Sequence, residues 1–549
     1  MDYIRPKLFP LFFALSVVIC YLQIVDVALA GEGENKPYPQ SGLMFNEAAD
    51  GLCAFVPFKK PFDEFASKQT ILDGYRKFVE HLADTQVTHL LLNVNYQRAC
   101  YPSQVWDSYW DVEDPEKNVT GWHRNMWQIF RKGIDPYSVC IDLCREKKIS
   151  PWISMRMNDT HYINDPHKAN TFWKKHPEYR STPLQGLNYA LPEVREHHLS
   201  LIREIFERYD INGLELDWMR FCHHFKPNQQ EANCKILTRF MIEVRQIADK
   251  AARKWGHPIQ IAARVPAVPR FARGFGLDGS TWIQKQLVDI LIVSSIWMPA
   301  DRDTPIEQWR KLIGPVEHDY SLSASMGLWV KCVPGRVSMR NNLESARGFS
   351  ANMLHRGADQ IYLFNHFNFN DFKYPKIMPD GSQKITNIHR QILREVASLE
   401  KVVSKPRRHI LTFHDAAPPH EKNPKPLPAM LKTKGISSFR IYIGPKPVSG
   451  RAILRVGLDE SKGLWKSHLL AKINTLLCSP IENLNQPGQY KPHNGKGFHY
   501  AWEVAQVVPR VAQFEVPISA LKDGYNNIEI SLKTTDVQTM SWLELYLVP

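Results

Sequence analysis

The sequence predicts an α/β protein, a (β/α)8 TIM barrel followed by a C-terminal all-β sandwich of jelly-roll type. Three observations carry that expectation. From about residue 50 to 370, apolar strand-like runs alternate with amphipathic helix-like segments. After about 400 the texture changes to short β-type runs with no helices between them. Within the first region, Asp210-Ile-Asn-Gly-Leu-Glu-Leu-Asp-Trp-Met-Arg220 reads as a helix end followed by a strand. Its alternation sets Gly213, Glu215, Asp217 and Met219 on one face, and Leu214, Leu216 and Trp218 on a face that packs on helices. A doubly wound open sheet is the alternative architecture, disfavoured because no glycine-rich phosphate loop follows the first strand.

The N-terminus stands outside the fold. Arg5 and Lys7 precede an apolar run over 8–25, and Ala28-Leu-Ala30 before Gly31 is a small-residue cleavage pattern. Residues 1–30 therefore read as a secretory signal peptide, and the mature chain as exported, periplasmic or extracellular. Cys20 lies in the apolar run without a lipoprotein box, and no later run reaches the roughly 20 apolar residues of a membrane helix. No stable membrane anchor is expected. The remaining boundaries are a linker over 31–44, the barrel over 45–400, a boundary segment over 401–430 and the sandwich over 431–549.

The barrel strands are expected in order at 52–58 (LCAFVPF), 89–96 (HLLLNVNY), 149–157 (ISPWISMRM), 213–219, 259–265, 289–297 (DILIVSSIW), a weaker 322–330, and 360–364 (QIYLF). Helical patterns over 71–83, 136–147, 191–208, 234–254, 281–287, 306–313 and 343–356 separate them. The segment 416–428 is rich in Pro, Lys and His and reads as a loop. Sandwich strands follow at 439–443, 452–457, 469–477, 513–516, 527–532 and 542–547.

Composition narrows the function. Charged residues at 23% and hydrophobic ones at 44% describe a packed globular protein. The formal charge of +13 admits an anionic partner such as a sulfated or uronate glycan, or simply a well-solvated surface. No Lys/Arg run interleaved with aromatics forms a nucleic-acid footprint. The eight cysteines beyond the signal are dispersed, with no Cys-x-x-Cys pair, so neither a disulfide framework nor zinc is indicated. There is no Gly-x-Ser-x-Gly elbow and no His-Glu-x-x-His.

What remains is carboxylate chemistry. Burying ionised groups costs several kcal/mol each unless they are paired, so two carboxylates on one face of a buried strand call for a use. Strand-three parity puts Ser154, Arg156 and Asn158 on one face, and strand-five parity does the same for Gln260, Ala262 and Arg264. If both polar faces point inward, Arg156 and Arg264 flank Glu215 and Asp217. Asp217 is then the nucleophile or base, and Glu215, one layer deeper, orients it or an arginine. A buried ion-pair layer without catalysis is the structural alternative. The proton donor is expected at Asp301, after strand six, with Asp303 and Asp159 as rivals. Asn95, Asn158, Asp159, His161, His223, Trp297 and His366 lie at strand ends where they would bind substrate. A metal-dependent hydrolase or deacetylase using His161, His223 or His366 is a rival reading, although spacing shows no convergent ligand set, and no cofactor is expected.

With those residues in view, Gly213-Leu-Glu215-Leu-Asp217-Trp-Met-Arg220 and the barrel-then-sandwich layout resemble exported bacterial (β/α)8 glycoside hydrolase-like proteins of the family-10-like glycosyl hydrolase group. The strand is also similar to the Asp-Gly-x-Asp-x-Asp-x-Glu strand of family 18 chitinases, but Met219 stands where their acid does, which argues against substrate-assisted chemistry. It is closer to α-glycosidase barrels, where an Asp ending strand four is the nucleophile and a later carboxyl group the acid/base. That resemblance implies Asp217 and Asp301 in those roles. It implies an exported glycoside hydrolase acting on O-glycosidic bonds of a poly- or oligosaccharide, to which the basic charge balance adds the expectation of an anionic or sulfated glycan. A non-catalytic glycan-binding barrel is the alternative. The sandwich would bind sugar or brace the barrel.

Overall fold

The computed structural model describes residues 39–53, 66–181, 185–226, 229–296, 301–336, 338–365, 373–377, 383–433, 435–459, 469–481, 500–533 and 537–549. The signal-peptide expectation lies outside them, as do Trp297 and His366. No helix among the described residues is long and apolar enough to cross a membrane.

Eight parallel strands close into a barrel: β1 Gly42–Glu47, β2 Val87–Asn93, β3 Ser150–Arg156, β4 Gly213–Asp217, β5 Gln260–Pro266, β6 Ile290–Ser294, β7 Ser321–Met326 and β8 Gln360–Leu363. They run in sequence order around the barrel, and β8 closes on β1 through the pairs Gly42–Gln360 to Phe45–Leu363. Helices such as Lys68–Leu82, Pro136–Glu146, Pro192–Arg208, Gln230–Trp255 and Leu343–His355 follow the strands and cover the outside.

The first strand departs from the sequence reading. The expected strand over 52–58 begins in the helical turn Ala49–Leu52 and continues into residues outside the described set. The barrel instead opens with Gly42-Leu-Met-Phe-Asn-Glu47, whose apolar run is only three residues long before polar groups begin. The first of those polar groups, Asn46, is what the strand delivers to the interior.

Side chains fill the barrel in layers. Met44, Leu91, Trp152, Ala262, Ile290, Ile292, Tyr362 and Phe364 form the apolar cluster inside it. Trp152 sits beside Gly213, where any Cβ would come within 2.5 Å of the indole, so glycine is what lets this ring plug the barrel. Leu214, Leu216 and Trp218 face outward into the helix layer. The same register that places Trp152 opposite Gly213 places Ser154 opposite Glu215 and Arg156 opposite Asp217. On the other side Glu215 faces Ala262, and Asp217 faces Arg264.

Past the barrel, two antiparallel sheets form the sandwich. One contains Arg407–Ile410, Gln538–Val548, Arg451–Leu458, Arg510–Val516 and Ser479–Ile481, and the other Ile436–Tyr442, Tyr525–Leu532, Leu469–Ile473 and Leu476–Leu477. The segment read as a linker therefore supplies a strand, Arg407–Ile410, and a second short one, Ala429–Leu431. The sandwich has its own apolar core, which includes Leu454, Val456, Phe514, Ile530 and Trp542. Within it Arg408 and Glu544 make a fully buried ion pair at 2.9 Å. Helix Leu343–His355 packs on Arg407–Ile410 so closely that a Cβ at Gly348 would clash with the Arg408 carbonyl. The described cysteines are all buried, unpaired thiols.

Candidate active site

The strand ends bring charge together in one row, Arg156–Asp217–Arg264, across β3, β4 and β5. Arg264 places Nη1 3.0 Å from both Asp217 oxygens. Its Nε donates to Ser294 Oγ at 3.0 Å and its Nη2 to the Ser295 carbonyl at 3.3 Å, so β6 fixes the guanidinium from behind. The Phe364 ring covers it at 3.7 Å. Asp217 Oδ1 also accepts the Met219 N–H at 2.9 Å.

Glu215 lies one layer below and is fully buried. Tyr362 donates to Oε1 at 2.7 Å and Asn46 to Oε2 at 3.3 Å, from the strands on the far side of the barrel. Burial, and then the Asp217 charge, raise its carboxyl above the ordinary range. The two carboxylates thus differ in kind: one is held by an arginine, the other by neutral donors in a dry layer.

Arg156 turns from Asp217 toward its own loop. Its Nη1 meets Asp159 Oδ2 at 3.1 Å, and its guanidinium lies over the Tyr96 ring at 3.9 Å. Burial opposes ionisation of Asp159, but His161, Arg156 and Arg220 outweigh it and hold the carboxyl well below its usual value. The partly exposed His161 bridges this group, with Nδ1 2.7 Å from Asp159 and Nε2 3.4 Å from Arg220. Arg220 itself is pushed down to about 10 by burial and by Arg156.

Several expected substrate contacts are occupied by the fold. Asn95 clamps β3, accepting the Arg156 N–H and donating to its carbonyl, both at 2.9 Å. Asn158 accepts the Leu187 N–H at 2.7 Å and donates to the Leu187 carbonyl at 3.0 Å, so it pins the loop before helix Pro192–Arg208. Both are buried, and their amides serve the backbone rather than a ligand. The half-buried His223 presents its ring edge to Phe275 at 5.3 Å, while its carbonyl accepts from Ser181.

Asp301 is buried beside His414, with Oδ2 on the ring Nδ1 and Oδ1 accepting the Asp303 N–H. Burial works to raise its carboxyl, yet His414, the Asp303 N–H and Arg356 together hold it below the ordinary range. A carboxyl kept ionised in this way is poorly suited to donate a proton. Asp303 is likewise engaged, by Arg356 and Tyr525, both at 2.6 Å. Among the described residues no three or more His, Cys, Asp or Glu side chains gather as a metal-ligating group.

Three contributors escape sequence reasoning. Asn46 and Tyr362 reach Glu215 only because the barrel closes between β1 and β8. Strand parity alone makes Tyr362 inward-facing but does not say whom it meets. Asp415 is the third: its Oδ1 accepts the Ile296 N–H at 2.9 Å, just past β6, and no pattern in its Pro-rich surroundings marks it.

No family model and no curated protein matches the sequence. Solved structures similar to this chain include the glycoside hydrolase domain of PgaB (BpsB) from Bordetella bronchiseptica, at 11% identity and a TM-score of 0.38, covering 66% of this chain and 99% of that one. An α-L-fucosidase isoenzyme 2 from Paenibacillus thiaminolyticus matches at 12% identity and 0.39, over 67% of this chain and 50% of that one. A GH36 α-galactosidase from Geobacillus stearothermophilus matches at 12% and 0.35, over 90% of this chain and 56% of that one. Likenesses this distant carry no assignment of activity.

Proposed function

We propose that the protein is a glycoside hydrolase cleaving O-glycosidic bonds of a poly- or oligosaccharide, with Asp217 as its base or nucleophile. The supporting observation is the Asp217–Arg264 pair set above Glu215 at the carboxyl mouth of a closed parallel barrel, the end where such barrels do chemistry. Glycosidic cleavage passes through an oxocarbenium-like state, which a fixed carboxylate stabilises and from which it can relay a water proton. Arg264 sets the orientation of that carboxylate, and the raised Glu215 spares the layer below a second negative charge. Asp301 takes a positioning role in this reading, holding His414.

A cleft of about 400 Å³ between barrel and sandwich is lined by Phe413, His414, Lys425, Phe439 and Arg440 among others. Asp303 also lines it and pairs with Arg440 at 3.3 Å, and the aromatic faces beside Lys425 and His414 support an acidic sugar as substrate. The N-terminal pattern over 1–30 supports export.

A non-catalytic glycan-binding barrel is the second reading, favoured by the closeness of the Arg264 grip on an Asp217 side chain only 1% exposed. Reducing-end release from a panel of neutral and anionic polysaccharides separates the two. Wild-type activity that drops by about 10²–10⁴-fold in a folded Asp217→Asn variant is expected for a lost general base. Glycan binding without release, unchanged in the variant, establishes the binding barrel instead.

A further inference from the structure

We propose that Asp415, carried into the barrel mouth by the segment that joins barrel to sandwich, is the proton donor of this site. The proposal rests on the glycosidase reading and supplies the acid that reading lacks.

The argument begins with placement. Ile296 lies two residues beyond β6, and its N–H donates to Asp415 Oδ1 at 2.9 Å. The adjacent Ser295 carbonyl accepts from the Nη2 of Arg264, whose Nη1 holds Asp217. Asp415 and Asp217 are thus attached to opposite ends of one short chain of contacts. The buried Cys222 thiol, just past β4, lies within electrostatic reach of both carboxylates and of Arg264.

Its competitors are committed elsewhere. Asp159 is tied to Arg156 and His161, Asp301 to His414, and Asp303 to Arg356 and Tyr525. Asp415 has no arginine partner among the described residues, and the residue keeps some surface accessible to solvent. The charged groups acting on it are Asp301 and Lys425, and the Cys222 thiol nearby stays neutral because burial pushes that thiol up. Burial of the carboxyl, aided by Asp301 and opposed by the Ile296 N–H and Lys425, pushes it up to about 6. A carboxyl that still holds its proton in weak acid is what leaving-group protonation needs.

The step then balances. Asp415 gives its proton to the glycosidic oxygen as the C1–O bond breaks. Water forms the new C1–O bond from the opposite face and passes a proton to Asp217. Two sugars leave, Asp415 is left as carboxylate and Asp217 protonated, and solvent returns the proton.

The test compares Asp415→Asn with wild type on phenyl and 2,4-dinitrophenyl glycosides of the sugar that the polysaccharide panel identifies. Asparagine still accepts the Ile296 N–H, and an unchanged melting temperature verifies the fold. Losing a general acid lowers turnover of the phenyl glycoside by about 10²–10⁴-fold. The dinitrophenyl glycoside, whose leaving group needs no proton, is expected to change little. The fall of wild-type kcat/KM above pH about 6 disappears in the variant. Equal losses on both substrates, or a retained alkaline limb, overturn the role of Asp415 while leaving the glycosidase intact. A wild type silent on every glycan overturns the glycosidase reading and this role with it.

Discussion

Arg264 holds Asp217 through a single nitrogen, Nη1, equidistant at 3.0 Å from Oδ1 and Oδ2. The remaining guanidinium nitrogens are spent on Ser294 and Ser295. The arginine is therefore fixed by β6 and the carboxylate by the arginine, and because both side chains are buried, removing either leaves the other without its counter-charge.

That arrangement predicts a strongly non-additive pair. Asp217→Leu leaves a buried guanidinium uncompensated and Arg264→Met leaves a buried carboxylate, each costing about 3–5 kcal/mol. The double variant, with an apolar pair of similar volume, is expected to recover most of that loss while remaining inactive. Urea midpoints of the four proteins measure the coupling. Simple addition of the two single costs would show that the pair is not the closed unit its geometry describes.

A second prediction concerns Glu215. Its folded-state pKa lies above the unfolded value, so between about pH 4.5 and 7 the unfolded chain has lost the proton that the folded chain keeps. Stability therefore falls as pH rises through this window, by about 3 kcal/mol if the whole shift is expressed. Glu215→Gln has no proton to lose, and Asn46 can flip its amide to satisfy the new side chain. The variant should gain on wild type steadily from pH 4.5 to 7 and then hold a constant lead. Parallel stability curves for the two proteins across that range refute the assignment.

The inner face of β4 is legible in the sequence because a strand's period of two is unforgiving: once Trp218 belongs to the helices, Glu215 and Asp217 must point in. The partnership of Asp217 with Arg264 follows equally from parity on the next strand. Contacts made across the barrel closure are not legible, since nothing local says that Asn46 and Tyr362 converge on Glu215. The strand expected over 52–58 misplaces β1, because an apolar run outscores the shorter Gly42–Glu47, whose polar end serves the site. Asp415 is hidden for a different reason. It is brought to Ile296 from 119 residues away by docking of the sandwich, and its own neighbourhood reads as a loop.

That docking has a weak point at Gly348. Helix Leu343–His355 approaches strand Arg407–Ile410 so closely that an added Cβ meets the Arg408 carbonyl, a backbone atom with little freedom to move. Gly348→Ala is expected to destabilise by about 1–3 kcal/mol or more, despite alanine's better helix propensity. An unchanged or raised denaturation midpoint would mean that the helix and the sandwich strand are not seated as described. Because this contact lies shortly before His414 and Asp415, the variant should also lower kcat more than it raises KM.

The last prediction is stereochemical. If Asp217 on β4 and Asp415 beside the end of β6 are the working carboxyl groups, they are supported by strands two apart in the barrel. Two strand spacings of about 4.8 Å separate those backbones by about 9.6 Å, and the Ser295–Ile296 peptide, whose carbonyl meets Arg264 while its N–H points the other way to Asp415, keeps the side chains from closing that gap. Carboxyl groups about 6.5–9.5 Å apart leave room for a water between base and sugar, whereas a glycosyl-enzyme intermediate calls for about 5–5.5 Å. The protein is therefore expected to invert the anomeric centre. Proton NMR of the first sugar released, recorded before mutarotation, reads the outcome directly. Retention would place the two reacting carboxyl groups closer together than β4 and β6 allow, and would move the search for the acid to the ends of the strands adjoining β4.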